Sequence, residues 1–535
     1  MMIIFESQSL IANALGVLLC IVVLRWLWKV INFVWFTPKS LEKSLQQQGL
    51  VGNSYRFLIG DMKEASQLRS EAMVKPIPFT HDYYHRIQPL LHRLLTKSGS
   101  KNCFSWMGPV PTILITQSEQ IKDGFNRMNE FRKPKLNPLI QTFSTGLVNY
   151  EGHQWAKHRK ILNPAFHLDK LKLMLPAFET SVIETLNNWE KIVSKTGSSE
   201  LDVWPHFTKL TADAISRAAF GSSFDDGRRI FELLTEQKEL IIRLIKYSYI
   251  PGWKYIPTKG KKRMDEMNAE IKTLLKTVIN TRKNAMEAGE LAKDDLLGIL
   301  LDSNSKEAKQ LSERESETSS KKRLDLAMSF QEVIDECKLF FLAGQETTSV
   351  LLAWTVTLLG KHQEWQTRAR EEVLATFGMK RPDFDGLNSR LKIVTMILYE
   401  VLRLYPSIVA TSRKVYDCET KLGDLVIPPG VAISFSILHA HLDPEVWGND
   451  VKEFKPDRFS EGISKATKGI NSYFPFGWGP RICIGQSFAL IEAKMALSMI
   501  LQRFSFEISP SYTHAPSTFI ALQPQHGVPV ILHKL

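Results

Sequence analysis

Between Phe474 and Gly485 the chain reads Phe-Pro-Phe-Gly-Trp-Gly-Pro-Arg-Ile-Cys-Ile-Gly, which sets Phe476, Gly479, Arg481, Cys483 and Gly485 at the spacing F-x-x-G-x-R-x-C-x-G. No other stretch constrains the chain as strongly. Its glycines let the backbone bend close to a flat ligand. A cysteine in such a loop can receive backbone N–H hydrogen bonds. A helical pattern that starts at about Gln486 would also bring a positive helix end, which favours a thiolate. A lone buried cysteine is ordinarily a small hydrophobe, but packing alone does not ask for five fixed positions within ten residues. The other cysteines are Cys20, Cys103, Cys337 and Cys418, an odd and widely spaced set of five in all. That argues against a disulfide scaffold and for a reducing compartment, with a thiol kept for chemistry.

Residues 1–24 carry no Lys or Arg and one acid, Glu6, and the 15 positions from Leu10 to Leu24 are mostly apolar. If Arg25 snorkels, the run extends through Trp28 to 19 positions, close to the roughly 20 that one membrane span needs. A cleaved signal peptide would carry a basic leading segment and a small-x-small site, and neither is found. Arg25, Lys29, Lys39 and Lys43 follow the run, with Trp26, Trp28 and Trp35 at the interface. The positive-inside rule therefore predicts an uncleaved single-pass anchor over residues 1–35, with the remainder cytosolic.

After Pro38 there is no repeat and no Gly/Ser- or Pro-rich linker, so residues 36–535 are expected to form one large domain, although length alone suggests several. With 44% apolar and 23% charged residues the chain is neither polytopic nor wholly disordered. The net charge of +12 allows an acidic partner and gives no reason to invoke nucleic acid. Ser329-Phe-Gln-Glu332 is a capping-box pattern that predicts a long helix to about Lys361, buried nearly all round beyond Lys338. Strand signals cluster late, around Thr411–Pro428, Val431–Ile437 and Phe519–Leu532. The expected fold class is mainly α with minor β-sheets. Asp302–Lys322, rich in Ser, Glu and Lys, reads as a solvated loop.

The Phe476–Gly485 pattern resembles the haem-binding signature of the cytochrome P-450 family, and further matches extend over essentially the whole chain. The resemblance implies the cytochrome P-450 fold and a haem-thiolate monooxygenase of the endoplasmic reticulum membrane. Haem b would be its cofactor, with Cys483 as the axial iron ligand. A thiolate there pushes electron density onto the iron and favours O–O cleavage. Electrons would come from NADPH through a separate reductase, the co-substrate would be O2, and the organic substrate would be lipophilic. Trp155 and Arg159, at W-x-x-x-R spacing, together with Arg413 and Arg481, would hold the haem propionates, since a guanidinium fork bonds a carboxylate bidentately. Phe476 and Gly485 belong to the cofactor loop. Ala343-Gly-Gln-Glu346-Thr347-Thr348 is similar to the family's oxygen-activating segment. Gly344 would open a groove for dioxygen, and Glu346 and Thr347 would relay protons; a mid-helix Thr can otherwise simply bond back to the carbonyl four residues earlier. Glu400 and Arg403, completed by Arg458, would hold the fold behind the haem, with Asp457 standing where the family has Glu. Lys157, His158 and Lys160 would dock an acidic electron donor. Substrate contacts would come from Asn102–Leu147, Phe341 and Ala343, Ser407–Thr411 and Thr518–Leu522, and Tyr247–Ile256 would dip into the membrane.

Trp35–Lys39, Gly52–Arg56, Asp202-Val-Trp-Pro205 and Gln523–Gly527 look like the plant "seventy-two" group. That group includes secologanin synthase and oxidases of iridoids, gibberellins and oleanane triterpenoids. Lys133–Pro138, Gly146–Tyr150, Ala515-Pro516 and Ile531–Leu535 resemble the triterpenoid oxidases most. Met62–Lys75 and His81–Ile87 depart from the pattern. The expected activity is therefore hydroxylation or further oxidation of a terpenoid C–H bond, with a triterpenoid favoured over an iridoid, secoiridoid or gibberellin. A haem-thiolate isomerase or dehydratase would have no need of Glu346 and Thr347.

Overall fold

The computed structural model describes residues 2–99, 101–135, 138–193, 197–244, 247, 253–288, 295–314, 327–518 and 520–535. Its helices of ten or more residues are α1 Met2–Ile31, α2 Thr37–Gln47, α3 Met62–Val74, α4 Pro89–Ser98, α5 Gly152–Leu162, α6 Leu168–Val193 and α7 Val203–Phe220. They continue with α8 Phe224–Leu244, α9 Lys259–Glu287, α10 Leu296–Arg314, α11 Phe330–Lys361, α12 Gln363–Phe377, α13 Lys392–Leu404 and α14 Gln486–Arg503. Helix dominates, as the sequence implies.

The strands are β1 Val51–Gly52, β2 Cys103–Met107, β3 Val110–Ile115, β4 Ser198–Asp202, β5 Ala410–Lys414, β6 Thr420–Leu422, β7 Leu425–Ile427 and β8 Ala432–Ser436, then β9 Phe504–Ile508, β10 Pro516–Thr518, β11 Leu522–Pro524 and β12 Pro529–Lys534. The largest sheet has the order β1-β2-β3-β8-β5. β1–β3 come early in the chain, where no strand is expected from sequence. Pro111 hides β3, because a proline inside an apolar run argues against a strand. It is tolerated here because the pairing of β3 with β8 begins only at Thr112.

The sheet packs its own apolar cluster, including Phe104, Trp106, Phe131, Ile433 and Phe435, whereas the main core lies among α6, α7, α9, α11, α13 and α14. The α11 capping box is present: Glu332 N–H donates to Ser329 Oγ and Ser329 N–H donates to Glu332 Oε2. From Thr348 to Gly360 this helix is buried all round, as expected. Between Leu342 and Thr347 it is not, and Ala343 is exposed.

One expectation needs correction. Asp302–Arg314 is not a loop but the continuation of α10, because the apolar turn Leu296–Leu301 nucleates a helix that Lys306 and Asp302 extend with an i,i+4 ion pair; residues 315–322 lie outside the described residues. The N-terminal helix also runs past Pro38. A π-helical turn, Asn32–Phe36, joins α1 to α2, so helix runs on to Gln47. Among the described residues, two helices are long and apolar enough to cross a membrane: this N-terminal one, none of whose apolar window is buried, and α11, which is mostly core.

Candidate active site

The site is built around the loop between Phe474 and the start of α14. Gly477 and Gly479 adopt left-handed φ of 75° and 70°, the bends that glycine allows. Gly485 does not: its φ is −89°, and a Cβ there would meet nothing nearer than Phe166 at 3.9 Å. Its contribution is a backbone N–H, which hydrogen-bonds the Cys483 thiol. Cys483 N–H in turn donates to Phe476 O at 2.8 Å, closing the loop. Burial pushes the Cys483 thiol above its ordinary pKa, while the Gly485 N–H and the Arg159 guanidinium pull it down. The side chain is nevertheless exposed. The thiol is thus desolvated by its neighbours while the residue keeps an open side.

Cations converge on the same region. Arg481 lies 4.8 Å over the Trp155 ring, pairs with Glu151 at 2.7 Å and donates to Tyr150 O at 2.8 Å. Arg413 is buried and donates to Thr411 Oγ1 and Ser412 O. Burial and the neighbouring Arg481 lower its pKa to about 10. Lys133 is lowered to about 7 by burial and by Arg413 and Arg481. Three crowded cations facing one carboxylate, Glu151, leave positive charge that a group with two carboxylates would balance. With the open thiol, this donor set fits the haem that the resemblance implies. Lys133 is missed as a site residue by sequence reasoning, which finds in Lys133–Pro138 only a mark of the subgroup. Arg159 donates to Ile482 O at 2.8 Å, between Arg481 and Cys483 in the chain.

On α11, Glu346 and Thr347 point different ways. Glu346 pairs with Lys238 of α8 at 2.5 Å. The Thr347 hydroxyl donates to Ala343 O at 2.8 Å, the local bond that a mid-helix Thr makes by default. A cleft of about 810 Å³ between α7 and α8 reaches Gln345, the residue before Glu346. Gly344 does not open a groove for dioxygen as expected: a Cβ there would stand 2.7 Å from Ile215 Cγ1, so the glycine lets α7 pack closely on α11.

Three of the expected substrate segments meet. Ser407 Oγ donates to Thr347 O at 3.1 Å and Leu522 N–H donates to Ser407 O at 2.9 Å. Ala343 is exposed beside them, but Phe341 is core, stacked on Phe220 with ring centroids 4.5 Å apart. The unfamiliar stretches Met62–Lys75 and His81–Ile87 are tied together and to β10 by buried Arg86, which donates to Ala72 O at 2.6 Å and Pro516 O at 3.1 Å. Of the aromatic segment, Tyr247, Tyr255 and Ile256 are exposed and Trp253 is buried; Ser248–Gly252 lie outside the described residues.

The expected docking cluster is corrected more sharply. Lys157 points inward to Glu332 at 3.1 Å. His158 is wholly buried, with Nδ1 2.6 Å from Glu336 and Nε2 3.1 Å from Glu332. These two side chains therefore fasten α5 to the first turns of α11, and only Lys160 of the three is exposed. Behind the site, Glu400 and Arg403 form a fully buried bidentate pair at 2.7 and 2.8 Å, and Arg458 reaches Glu400 at 3.4 Å. Asp457 takes no part in this and pairs with Arg368 on the surface.

A family model for Cytochrome P450 matches residues 81–527. Among curated proteins, the chain is similar to "Echinocystic acid 23-monooxygenase" of Saponaria officinalis, 62% identical over 518 residues, covering 96% of this chain and 98% of that one. It is similar to "Cytochrome P450 72A397" of Kalopanax septemlobus, 55% identical over 95% of this chain and 96% of the other. It is also similar to "Cytochrome P450 72A15" of Arabidopsis thaliana, 52% identical over 96% and 97%.

Proposed function

The chain belongs to the cytochrome P450 family, and on that premise we propose that it is a reductase-dependent monooxygenase that hydroxylates, or oxidises further, a C–H position of a plant triterpenoid. The observation that carries the substrate class is the 62% identity, over almost the full length of both chains, to a protein named for echinocystic acid, a triterpenoid acid. Haem b, bound through Cys483, supplies the activation of dioxygen with electrons drawn from NADPH by the reductase. Arg413, Arg481 and Lys133 bind the propionates, and Trp155 supports Arg481 from below. Arg159 faces the thiolate side and steadies its charge. Glu346, held by Lys238, takes up protons at its carboxylate. Thr347 passes them on at Oγ, breaking its bond to Ala343 O to do so.

The N-terminal helix anchors the enzyme in the endoplasmic reticulum, and the basic residues after it keep the catalytic part cytosolic. The test is expression in yeast with and without a plant reductase, feeding triterpenes, iridoids and gibberellins in parallel. Reductase-dependent oxygenation of a pentacyclic triterpenoid is the expected result. Turnover of an iridoid or gibberellin alone would overturn the substrate class, and turnover without NADPH would overturn the reaction.

A further inference from the structure

Behind the oxygen-activating segment of α11 lies a buried column of electron-rich rings. Trp354, Tyr405 and Tyr83 are wholly buried and stacked in that order. The Trp354 and Tyr405 ring centroids are 4.3 Å apart with the planes at 17°, and those of Tyr405 and Tyr83 are 5.1 Å apart at 12°. Trp354 is on the same face of α11 as Thr347, two turns on and about 10 Å along the axis. Hydrogen bonds join the two as well. Trp354 Nε1–H donates to Leu522 O at 2.6 Å, Leu522 N–H to Ser407 O at 2.9 Å, and Ser407 Oγ to Thr347 O at 3.1 Å.

Packing explains stacked rings, but it does not ask for a base beside each phenol. His514 Nε2 is 3.1 Å from Thr80 O, a carbonyl that only accepts, so Nε2 carries the hydrogen and Nδ1 is the acceptor. Tyr512 O–H therefore donates to His514 Nδ1 at 2.9 Å. The same Nε2–H reaches the Tyr405 hydroxyl at 3.4 Å, whose own proton is left for His81 Nδ1, 2.8 Å away. Burial keeps both imidazoles neutral, with His81 lowered to about 3 and His514 to about 4, and holds both phenols protonated. A phenol that has lost an electron is a strong acid, strong enough to protonate even these imidazoles. Tyr405 and Tyr512 can thus give up an electron because the proton has a place to go. Tyr83 cannot: its hydroxyl donates to Leu404 O at 2.6 Å, a carbonyl and not a base. Tyr512 is only half-buried, so the line Tyr405–His514–Tyr512 leads from the stack to the surface.

We propose that Trp354, Tyr405 and Tyr512 form a discharge route, which carries electrons from the surface to the haem when oxygen has been activated and no substrate is there to take it. Left in place, the oxidant would attack what is nearest, the Cys483 sulfur included. Trp354 gives an electron toward the haem and takes one from Tyr405, whose proton passes to His81 Nδ1. Tyr512 re-reduces Tyr405, which recovers its proton from His81, and the Tyr512 proton passes to His514 Nδ1. A low-molecular-weight thiol in the solvent then re-reduces Tyr512 and releases its own proton, and His514 returns the phenol proton. Two such passages supply the two electrons that turn the oxygen atom into water. The two protons of that water are matched by those the two thiols release, and the two thiyl groups join as a disulfide. The route rests on haem held at Cys483, which the Soret band of each sample checks separately.

The test uses the substrate-free, full-length holoenzyme, mixed rapidly with a peracid and frozen for electron paramagnetic resonance. A tyrosyl signal that narrows when the protein carries ring-deuterated tyrosine is expected. Tyr405→Phe keeps the stack and loses the phenol. There the tyrosyl signal is expected to vanish, replaced by one that narrows with ring-deuterated tryptophan. Tyr83→Phe is expected to leave the signal of the unaltered protein. A tyrosyl signal of unchanged size in Tyr405→Phe, or none in the unaltered protein, would overturn the route. Tyr512→Phe, a conservative change at the surface end, tests the outlet. In cumene hydroperoxide with glutathione present, its Soret band is expected to bleach faster than that of the unaltered protein. Equal bleaching rates would overturn the outlet.

Discussion

At the residue scale, the site is recognised by charge that does not balance. Arg413, Arg481 and Lys133 crowd together against Glu151, and burial with mutual repulsion lowers the first to about 10 and the last to about 7. A dianionic cofactor relieves that repulsion, so Lys133→Met should speed haem loss to apomyoglobin roughly tenfold, the scale on which outer partners affect metal-site affinity. An unchanged off-rate would remove Lys133 from the cofactor site. Thr347 carries a different expectation. Its hydroxyl bonds to Ala343 O, so a purely local role would leave turnover intact when it is deleted. Thr347→Ala is expected to keep the haem spectrum and the NADPH consumption while lowering product per NADPH by roughly 10²-fold, on the lower scale of general acid–base contributions, with the electrons leaving as hydrogen peroxide. Product coupling equal to that of the unaltered enzyme would return Thr347 to its local role.

At the element scale, helix contacts explain residues whose types looked catalytic. Gly344 is small because Ile215 of α7 occupies the space of its missing Cβ. Gly344→Ala should cost about 1–3 kcal/mol by overpacking. Ile215→Val, trimming the opposing side chain, should recover part of that in a double-mutant cycle followed by denaturant unfolding. Additive effects would mean the two do not touch. The Glu400–Arg403–Arg458 cluster pins α13 to the segment around Asp450 and Arg458. Glu400→Gln strips the charge that compensates two buried guanidinium groups and should cost about 3–5 kcal/mol. Asp457→Ala, breaking only the surface pair with Arg368, should cost less than about 1 kcal/mol in the same assay. Two motifs that mark the subgroup also prove to be one contact. Asp202 caps α7 through Trp204 N–H and accepts Val528 N–H at 2.7 Å, and Gly527, at φ 75°, leaves room for its carboxylate.

At the scale of the whole molecule, stability should depend on pH through histidines buried neutral. His81 and His441 are lowered to about 3 and His514 to about 4, in each case first by burial. Below the ordinary histidine value near 6.5 the unfolded chain takes up protons that the folded one refuses, so stability is lost as pH falls. Each group contributes a slope of up to about 1.4 kcal/mol per pH unit between about 6.5 and 4. Glu332 extends the loss: burial raises its pKa, but hydrogen bonds from Ser329 N–H, His158 and Lys157 outweigh that and bring it to about 2. Its stabilisation is thus present above the usual glutamate value and disappears as pH falls from about 4.5 toward 2. Denaturation midpoints should fall steadily from pH 7 to pH 5, and a flat profile there would contradict the neutral, buried state of these rings.

The closed loop at Cys483, the α11 cap and long helix, the apolar N-terminal helix and the mainly helical class were all legible in the linear sequence. Each rests on local chemistry, meaning residue type at a fixed spacing, periodicity or a cap. What the chain alone could not decide is which way a side chain faces. Lys157 and His158 look like a basic surface and are turned inward by two glutamates 174 to 178 positions away. Phe341 looks like a pocket wall and is claimed by Phe220. Lys133 looks like a spacer and joins a cluster with Arg413 and Arg481. In each case the partner is distant in sequence or the choice depends on burial, and those are terms that only the tertiary structure contains.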